Sequence, residues 1–255
     1  MEVVILAGGF GSRISEYTNS IPKPMVPIGG KPVLWHIMNN FSHFGINNFY
    51  VALGYKAENI KEYFLNYHAL NSDFSVDLSN GNIEPINEEK NNWKINLIDT
   101  GLNSMTGGRV KRIFKHMKKE KFLLTYGDAL SNVDIKDLIK FHESHNKMIT
   151  VTAVRPSARF GELDIEDSIV KTFKEKPQTN QGWINGGFFI VEPRFIDLIK
   201  DDSTILERSP LEIAASQGEL MAYKHKGFWQ CMDTKRDHES LQLLWEDGSK
   251  PWTYR

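Results

Sequence analysis

Val3-Val4-Ile5-Leu6 is an unbroken apolar run that stops at Gly8-Gly9. A β-branched and aliphatic run of that length reads as a strand covered on both faces and closed by a tight loop. Val33, Leu34, Ile37, Met38 and Phe41 then recur at helical spacing, opened by Lys31-Pro32 and closed by Gly45, which predicts a helix. Residues 48–53 predict a second strand, and Ile60, Tyr63, Phe64 and Tyr67 a second helix. Strand, loop, helix, strand, helix is the order of an α/β domain with a mainly parallel sheet.

Further along, the pattern weakens and then changes. Residues 71–92 are polar, Asn-rich and weakly periodic, and predict an irregular insertion with one short strand at 74–78. Strands are predicted at 93–98 and 122–126, the second ending on Gly127-Asp128. Between them a helix at 109–118 carries Val110, Ile113, Phe114 and Met117 on one face. Asp134 is a candidate N-cap for a helix with Leu138, Ile139 and Phe141. From residue 149 the chain turns β-rich, with strands at 149–154, 161–165, 169–175, 183–191 and 220–225. Helices are predicted at 193–200 and 210–217, and a closing one at 234–245. With no repeat, low-complexity tract or linker, one α/β domain with a β-rich elaboration is the economical reading.

Composition narrows the partners. The 255 residues are 40% hydrophobic and 25% charged, as in ordinary soluble globular proteins. Lys and Arg number 31 against 32 Asp and Glu, a net charge of -1. That argues against nucleic-acid binding through bulk basic charge, but leaves a small anion open, because a few placed cations suffice. Cys231 is the single cysteine, so no intramolecular disulfide forms, which fits a reducing compartment. The apolar run at 3–7 is too short for a membrane span and lacks the basic flank of a signal peptide. The expectation is a cytoplasmic protein with no membrane partner.

The candidate chemistry starts in the loop Leu6-Ala7-Gly8-Gly9-Phe10-Gly11-Ser12-Arg13. Glycines after a buried strand let the backbone approach a ligand, and their N–H groups can cradle phosphate. Gly9-Phe10-Gly11 is half of a dinucleotide fingerprint, but Ile14 stands where the third glycine belongs, and the Lys-Ser/Thr end of a P-loop is missing. By itself the loop reads as well as a plain glycine turn. Arg13 adds a cation suited to a polyphosphate. Lys23, between Pro22 and Pro24, is expected on a stiff, extended backbone that holds its ammonium in place. Asp128 follows a buried strand at the carboxyl edge of the sheet, where open α/β sheets place ligands. Asp233 follows Phe228-Trp229. Taken singly, each aspartate reads as a cap or turn residue, Asp233 as a cap of the closing helix. Lys176 reads singly as a turn lysine. His142 and His145 are expected on the surface, the basic cluster at 115–121 at a solvated helix end, and most tryptophans in packing, with Trp183 and Trp229 as candidate pocket walls.

The loop at 6–13 followed by Pro22-Lys23-Pro24-Met25 resembles the opening of the sugar-1-phosphate nucleotidylyltransferases. Further motifs are similar to the glucose-1-phosphate cytidylyltransferase branch of that family. They are Asp99-Thr100-Gly101, Met105-Thr106-Gly107-Gly108-Arg109, Thr125-Tyr126-Gly127-Asp128 and Arg159-Phe160-Gly161, then Glu175-Lys176-Pro177, Ile184-Asn185-Gly186-Gly187 and the run from Gly227 to Thr234.

The resemblance implies a nucleotide-diphospho-sugar transferase fold, with a Rossmann-like, mainly parallel sheet flanked by helices and a β-rich sugar-binding elaboration. It implies one domain over 1–255, with 1–130 mainly binding nucleotide and 131–255 mainly serving the sugar phosphate and oligomerisation. The implied reaction joins CTP to a sugar 1-phosphate, giving a CDP-sugar and pyrophosphate. Arg13, Lys23, Asp128 and Asp233 would be catalytic, with Asp128 and Asp233 holding Mg²⁺. Nucleotide would be bound by Leu6, Ala7, Gly8, Gly9, Gly11, Ser12, Arg13, Lys23, Thr100, Ser104, Thr106, Gly107, Arg109 and Asp128. Sugar phosphate would be bound by Tyr126, Lys176, Asn185, Gly186 and Trp229. In that branch Arg109 reaches a nucleotide held by a neighbouring subunit, which implies a homo-oligomer, a hexamer.

Departures from the branch leave the acceptor open. Ala129 stands for a usual glycine, Pro156-Ser157-Ala158 for Pro-Pro-Gly, and Cys231 for a usual proline. A methyl at Ala129 is expected to crowd a ligand approaching the backbone. Alternatives at this point are another nucleoside triphosphate or acceptor, a non-catalytic nucleotide-sugar-binding homologue, and a nicotinamide-dependent oxidoreductase suggested by the glycine loop alone.

Overall fold

Strand Val3–Leu6 (β1) is buried along its whole length and sits inside the sheet, as its continuous apolar run requires. The computed structural model describes residues 1–87, 91–156, 162–166, 169–174 and 182–254. β1 pairs in parallel with Asn48–Leu53 (β2) on one side, and β2 in turn with Lys94–Asp99 (β3). On its other side β1 pairs in parallel with Phe122–Tyr126 (β4). The sheet continues with antiparallel and parallel additions, Ile149–Val154 (β5), Ile184–Asn185 (β6), Phe189–Val191 (β7) and Leu220–Lys224 (β8). β7 lies antiparallel between β4 and β5, β6 pairs antiparallel with the far end of β5, and β8 runs parallel to β5. The expected α/β fold is therefore present, with eight strands in the main sheet among the described residues.

Apolar layers cover both faces. One contains Leu34, Ile37 and Phe41 from helix Val33–His43 (α1), with Leu241 from the closing helix Lys235–Glu246. The other contains Val110 and Ile113 from helix Thr106–Phe114 (α2) with Phe189, Phe195 and Leu206. Helix Ile135–Glu143 (α3) starts at the predicted cap, where the Asp134 side chain accepts from the Asp137 N–H.

Several boundaries differ from the sequence reading. Within the stretch 71–92 the described residues hold a hairpin rather than one strand, Asp73–Asp77 against Asn82–Asn87. Lys31–Pro32 leads into the helix as expected, with Pro32 as the N-cap of α1 at Val33, and it also pairs antiparallel with Pro27–Ile28. The strand expected at 183–191 is split into β6 and β7 around Gly186-Gly187. Helix α2 starts three residues earlier than expected. Its two glycines are poor helix formers, but the Gly107 N–H donates to the Thr204 carbonyl at 3.0 Å and the Arg109 N–H to that of Met105 at 2.9 Å. At Gly108 an added Cβ would run into Asp202, so glycine is required for that loop to lie against the helix.

His142 is not a surface residue. It is 3% exposed, with Nδ1 against Thr150 Oγ1 at 2.8 Å and Nε2 against Glu192 at 3.2 Å. Burial pushes its imidazole below the ordinary range. His145 is half-buried and shares the same Thr150 hydroxyl. Among the described residues, no helix is long and apolar enough to cross a membrane.

Candidate active site

A cavity of about 500 Å³ opens at the carboxyl ends of β1 and β4. Its floor is the glycine loop from Leu6 to Arg13, its far wall Tyr126, Gly127 and Asp128, and its side wall residues 102–106 with Arg109. Lys23 and Pro24 complete it. The open-sheet rule that ligands sit beyond the carboxyl ends of parallel strands is met here.

Two aspartates distant in sequence meet at one edge of this cavity. Ala129–Ser131 pairs antiparallel with Trp229–Cys231, placing Cys231 opposite Ala129, and the Met232 N–H donates to the Asp128 carbonyl at 2.8 Å. The ladder brings Asp128 and Asp233 to the same end. Lys23 lies between them, its ammonium 2.6 Å from Asp128 Oδ2 and 2.5 Å from Asp233 Oδ1. Arg13, mostly exposed, reaches Asp233 Oδ2 at 2.5 Å.

Lys23 is not on an extended segment. Pro22 is extended, but Lys23–Met25 forms one 3₁₀ turn, closed by Met25 N–H to the Pro22 carbonyl at 2.8 Å. The two prolines still fix the turn, and only 8% of the residue is exposed. Burial pulls its ammonium pKa down. The charge of Asp128 and hydrogen bonds to both aspartates outweigh that, leaving it raised. For Asp233, burial pushes upward, but Lys23 and Arg13 hold the carboxyl below its usual value. Burial, then the Asp128 charge, push the Cys231 thiol up.

Asp233 does not cap the closing helix. Thr234 does, its hydroxyl accepting from the Asp237 N–H at 3.2 Å, while Asp237 accepts from the Thr234 N–H at 2.8 Å. The Asp233 carboxylate is left to the cations. One donor atom from each of Asp128, Cys231 and Asp233 lies within 4.8 Å of the others. Two carboxylates already bridged by an ammonium are a place where positive charge is stabilised. Their hard oxygens suit Mg²⁺, and the thiol does not.

Arg109 behaves differently from the expectation that it reaches a neighbouring subunit. Its guanidinium donates within its own chain to the carbonyls of Leu53, Gly101, Gly8 and Leu102 and to Thr100 Oγ1, at 2.8–3.0 Å. Val110 and Ile113 pack on the same side of α2, so Arg109 is drawn inward and is 5% exposed. Burial lowers its pKa. At Gly8 and Gly54 an added Cβ would collide with this guanidinium, which is why the loop there is glycine.

Of the remaining sequence candidates, Ser104 and Thr106 lie on the cavity wall. Thr100 is fully buried behind it, its hydroxyl on the Leu53 carbonyl at 2.6 Å, and Gly107 is buried against the loop carrying Thr204. Asn185 meets the Tyr126 hydroxyl at 3.1 Å, and the Gly186 carbonyl accepts from Trp229 Nε1 at 2.7 Å. Lys176, with the Arg159-Phe160-Gly161 motif, lies outside the described residues. Ala129 does not crowd the cavity; it is 2% exposed and held in the ladder opposite Cys231. Glu207, absent from the sequence candidates, takes the Tyr126 hydroxyl at 2.6 Å, and burial, then Glu207, push the Tyr126 phenol pKa up. No motif surrounds Glu207, so nothing in the sequence pointed to it.

A phosphate-sized glycine loop, two cations and a pair of aspartates on an open sheet define an enzyme that handles nucleotides. Residues 2–248 match the nucleotidyl transferase family model. The chain is 51% identical over 253 residues to the glucose-1-phosphate cytidylyltransferase of Salmonella typhi, covering 99% of this chain and 98% of that one. It is 42% identical over 253 residues to a probable glucose-1-phosphate cytidylyltransferase of Bacillus subtilis, covering 99% of each. Among solved structures, HddC from Yersinia pseudotuberculosis complexed with GMP-PN superposes with a TM-score of 0.69 at 26% identity, over 96% of this chain and 99% of that one. The chain belongs to the nucleotidyl transferase family, and its fold is the nucleotide-diphospho-sugar transferase fold.

Proposed function

We propose that this enzyme transfers the cytidylyl group of CTP to α-D-glucose 1-phosphate, giving CDP-glucose and pyrophosphate. The full-length identity to relatives named for that reaction supports the substrates. The Lys23 ammonium between Asp128 and Asp233 beneath the glycine loop supports the chemistry. An oxygen of the sugar phosphate attacks the α-phosphorus of CTP in line, and pyrophosphate leaves from the opposite side. The attacking phosphate is already ionised, so no enzyme nucleophile is needed. The protein's task is positioning and neutralising charge.

In this reading the loop amides from Gly8 to Gly11 and Arg13 hold the β- and γ-phosphates and stabilise the departing pyrophosphate. Lys23 moves from the aspartates to the α-phosphate, and Lys176 orients the attacking phosphate. Ser104 and Thr106 border the nucleoside, while Asn185, Gly186 and Trp229 border the sugar. Asp128 and Asp233 would hold Mg²⁺, which would supply Lewis-acid neutralisation of phosphate charge. Residues 1–130 mainly carry the nucleotide and 131–255 mainly the sugar phosphate.

The test is a matrix of CTP, UTP, dTTP and GTP against glucose 1-phosphate and other sugar 1-phosphates, with pyrophosphate release measured and products weighed by mass spectrometry. CDP-glucose as the dominant product is expected. Preference for another base or acceptor, or CTP binding with no turnover, would overturn the reading.

A further inference from the structure

Glu207 joins two walls of the cavity without lining it. One carboxylate oxygen accepts from the Tyr126 hydroxyl at 2.6 Å and the other from the Thr106 hydroxyl at 2.7 Å. Thr106 is held in turn by the Leu206 N–H, which donates to its Oγ1 at 2.9 Å. Thr106 and Tyr126 both line the cavity, and in the reading above Thr106 borders the nucleoside and Tyr126 lies beside the sugar-bordering Asn185.

The directions of these bonds follow from the atoms. A carboxylate only accepts, so the single Tyr126 hydroxyl hydrogen is spent on Glu207. The same hydroxyl must then accept from Asn185 Nδ2, 3.1 Å away. The Asn185 amide cannot flip, because its Oδ1 accepts from the Gly187 N–H at 2.9 Å. A relay therefore runs Asn185 to Tyr126 to Glu207, with one polarity. Asn185 is left with its second Nδ2 hydrogen, a donor suited to a phosphate or hydroxyl oxygen.

We propose that Glu207 is a positioning residue for the transfer, a carboxylate tie that holds the Tyr126 hydroxyl as an acceptor for Asn185 and so sets the remaining Asn185 Nδ2–H as the donor toward the phosphorylated sugar. This rests on the cytidylyl-transfer reading given above. Without the carboxylate, Tyr126 is free to turn its hydrogen toward Asn185 or the ligand, and the relay loses its direction.

The test varies glucose 1-phosphate at saturating CTP and follows pyrophosphate release, with melting temperature recorded for each variant. Glu207→Ala is expected to lower kcat/KM for glucose 1-phosphate about 10–100-fold, with KM for CTP less affected. Glu207→Gln should recover most of that loss, since its Oε1 can take the Tyr126 hydroxyl and its Nε2 can donate to Thr106. Tyr126→Phe combined with Glu207→Ala should be no worse than the more impaired single variant. Wild-type kinetics in Glu207→Ala, a Gln variant as impaired as Ala, or additive losses in the double variant would each overturn the proposal. Should Glu207→Ala not fold, the other two variants decide. Tyr126→Phe impaired beside a near-normal Glu207→Gln supports the tie, and Tyr126→Phe at wild-type rates overturns it. Wild-type enzyme inactive with CTP would overturn the functional reading and this proposal with it.

Discussion

The Arg109 guanidinium donates to the Gly8 carbonyl at 3.0 Å, so the helix behind the cavity and the glycine loop that lines it share one side chain. The same group holds Leu53, Thr100, Gly101 and Leu102, the ends of β2 and β3. Lysine offers a point charge with three donors and cannot reproduce that fork. Arg109→Lys is therefore expected to raise KM for CTP about tenfold or more and to cost about 2–3 kcal/mol of stability. Nucleotide titration and urea denaturation check the two effects. Unchanged values for both would mean that the loop is held by other contacts.

Lys23 pairs with both Asp128 and Asp233. Lys23→Met removes the cation proposed for the α-phosphate and should lower turnover about 10²–10³-fold. The same change takes the ammonium from Asp128 and leaves Asp233 with Arg13 alone. Mn²⁺ binding to the nucleotide-free variant, followed by electron paramagnetic resonance, should therefore be tighter than in wild type. Weaker Mn²⁺ binding would show that the ammonium does not compete with the metal.

His36 provides a pH-dependent part of the stability. Its Nε2 lies 2.9 Å from the Ile28 carbonyl and its Nδ1 is 3.4 Å from Trp252 Nε1, so the neutral ring fits with Nε2–H donating and Nδ1 accepting. Burial, assisted by the charges of Lys250 and Lys31, lowers its pKa from 6.5 to about 4. The unfolded chain therefore binds a proton that the folded chain refuses between those values. The contribution is intact above pH 6.5 and is lost as pH falls toward 4, by about 3 kcal/mol in all. Urea denaturation across that window should show stability falling with acid, and His36→Gln should flatten the slope. An equal slope in both proteins would remove His36 as the cause.

The parts of the fold read from sequence were those with a buried face. β1, β2 and α1 carry unbroken or helically spaced apolar residues because one or both faces meet the core. The hairpin at 73–87 showed only one of its strands, because Asp73–Asp77 and the described part of Asn82–Asn87 are exposed and no alternation marks them. The start of α2 was hidden because contact with Thr204 and Asp202 overrides the glycines. In the site, Lys23, Asp128 and Asp233 were legible through motifs. Their meeting depends on the short ladder of 129–131 with 229–231, which has no periodic signature. Arg109 was legible as a site residue but not in its direction, since the buried face of α2 determines where it points.

Cytidylyl transfer at the Asp128–Lys23–Asp233 cluster is tested most directly by pyrophosphate release from CTP and glucose 1-phosphate, in wild type and in Asp128→Asn. The expected result is release by wild type that requires a divalent cation and falls about 10²–10³-fold in the variant. Release by Asp128→Asn at the wild-type rate, or none from wild type, would contradict it.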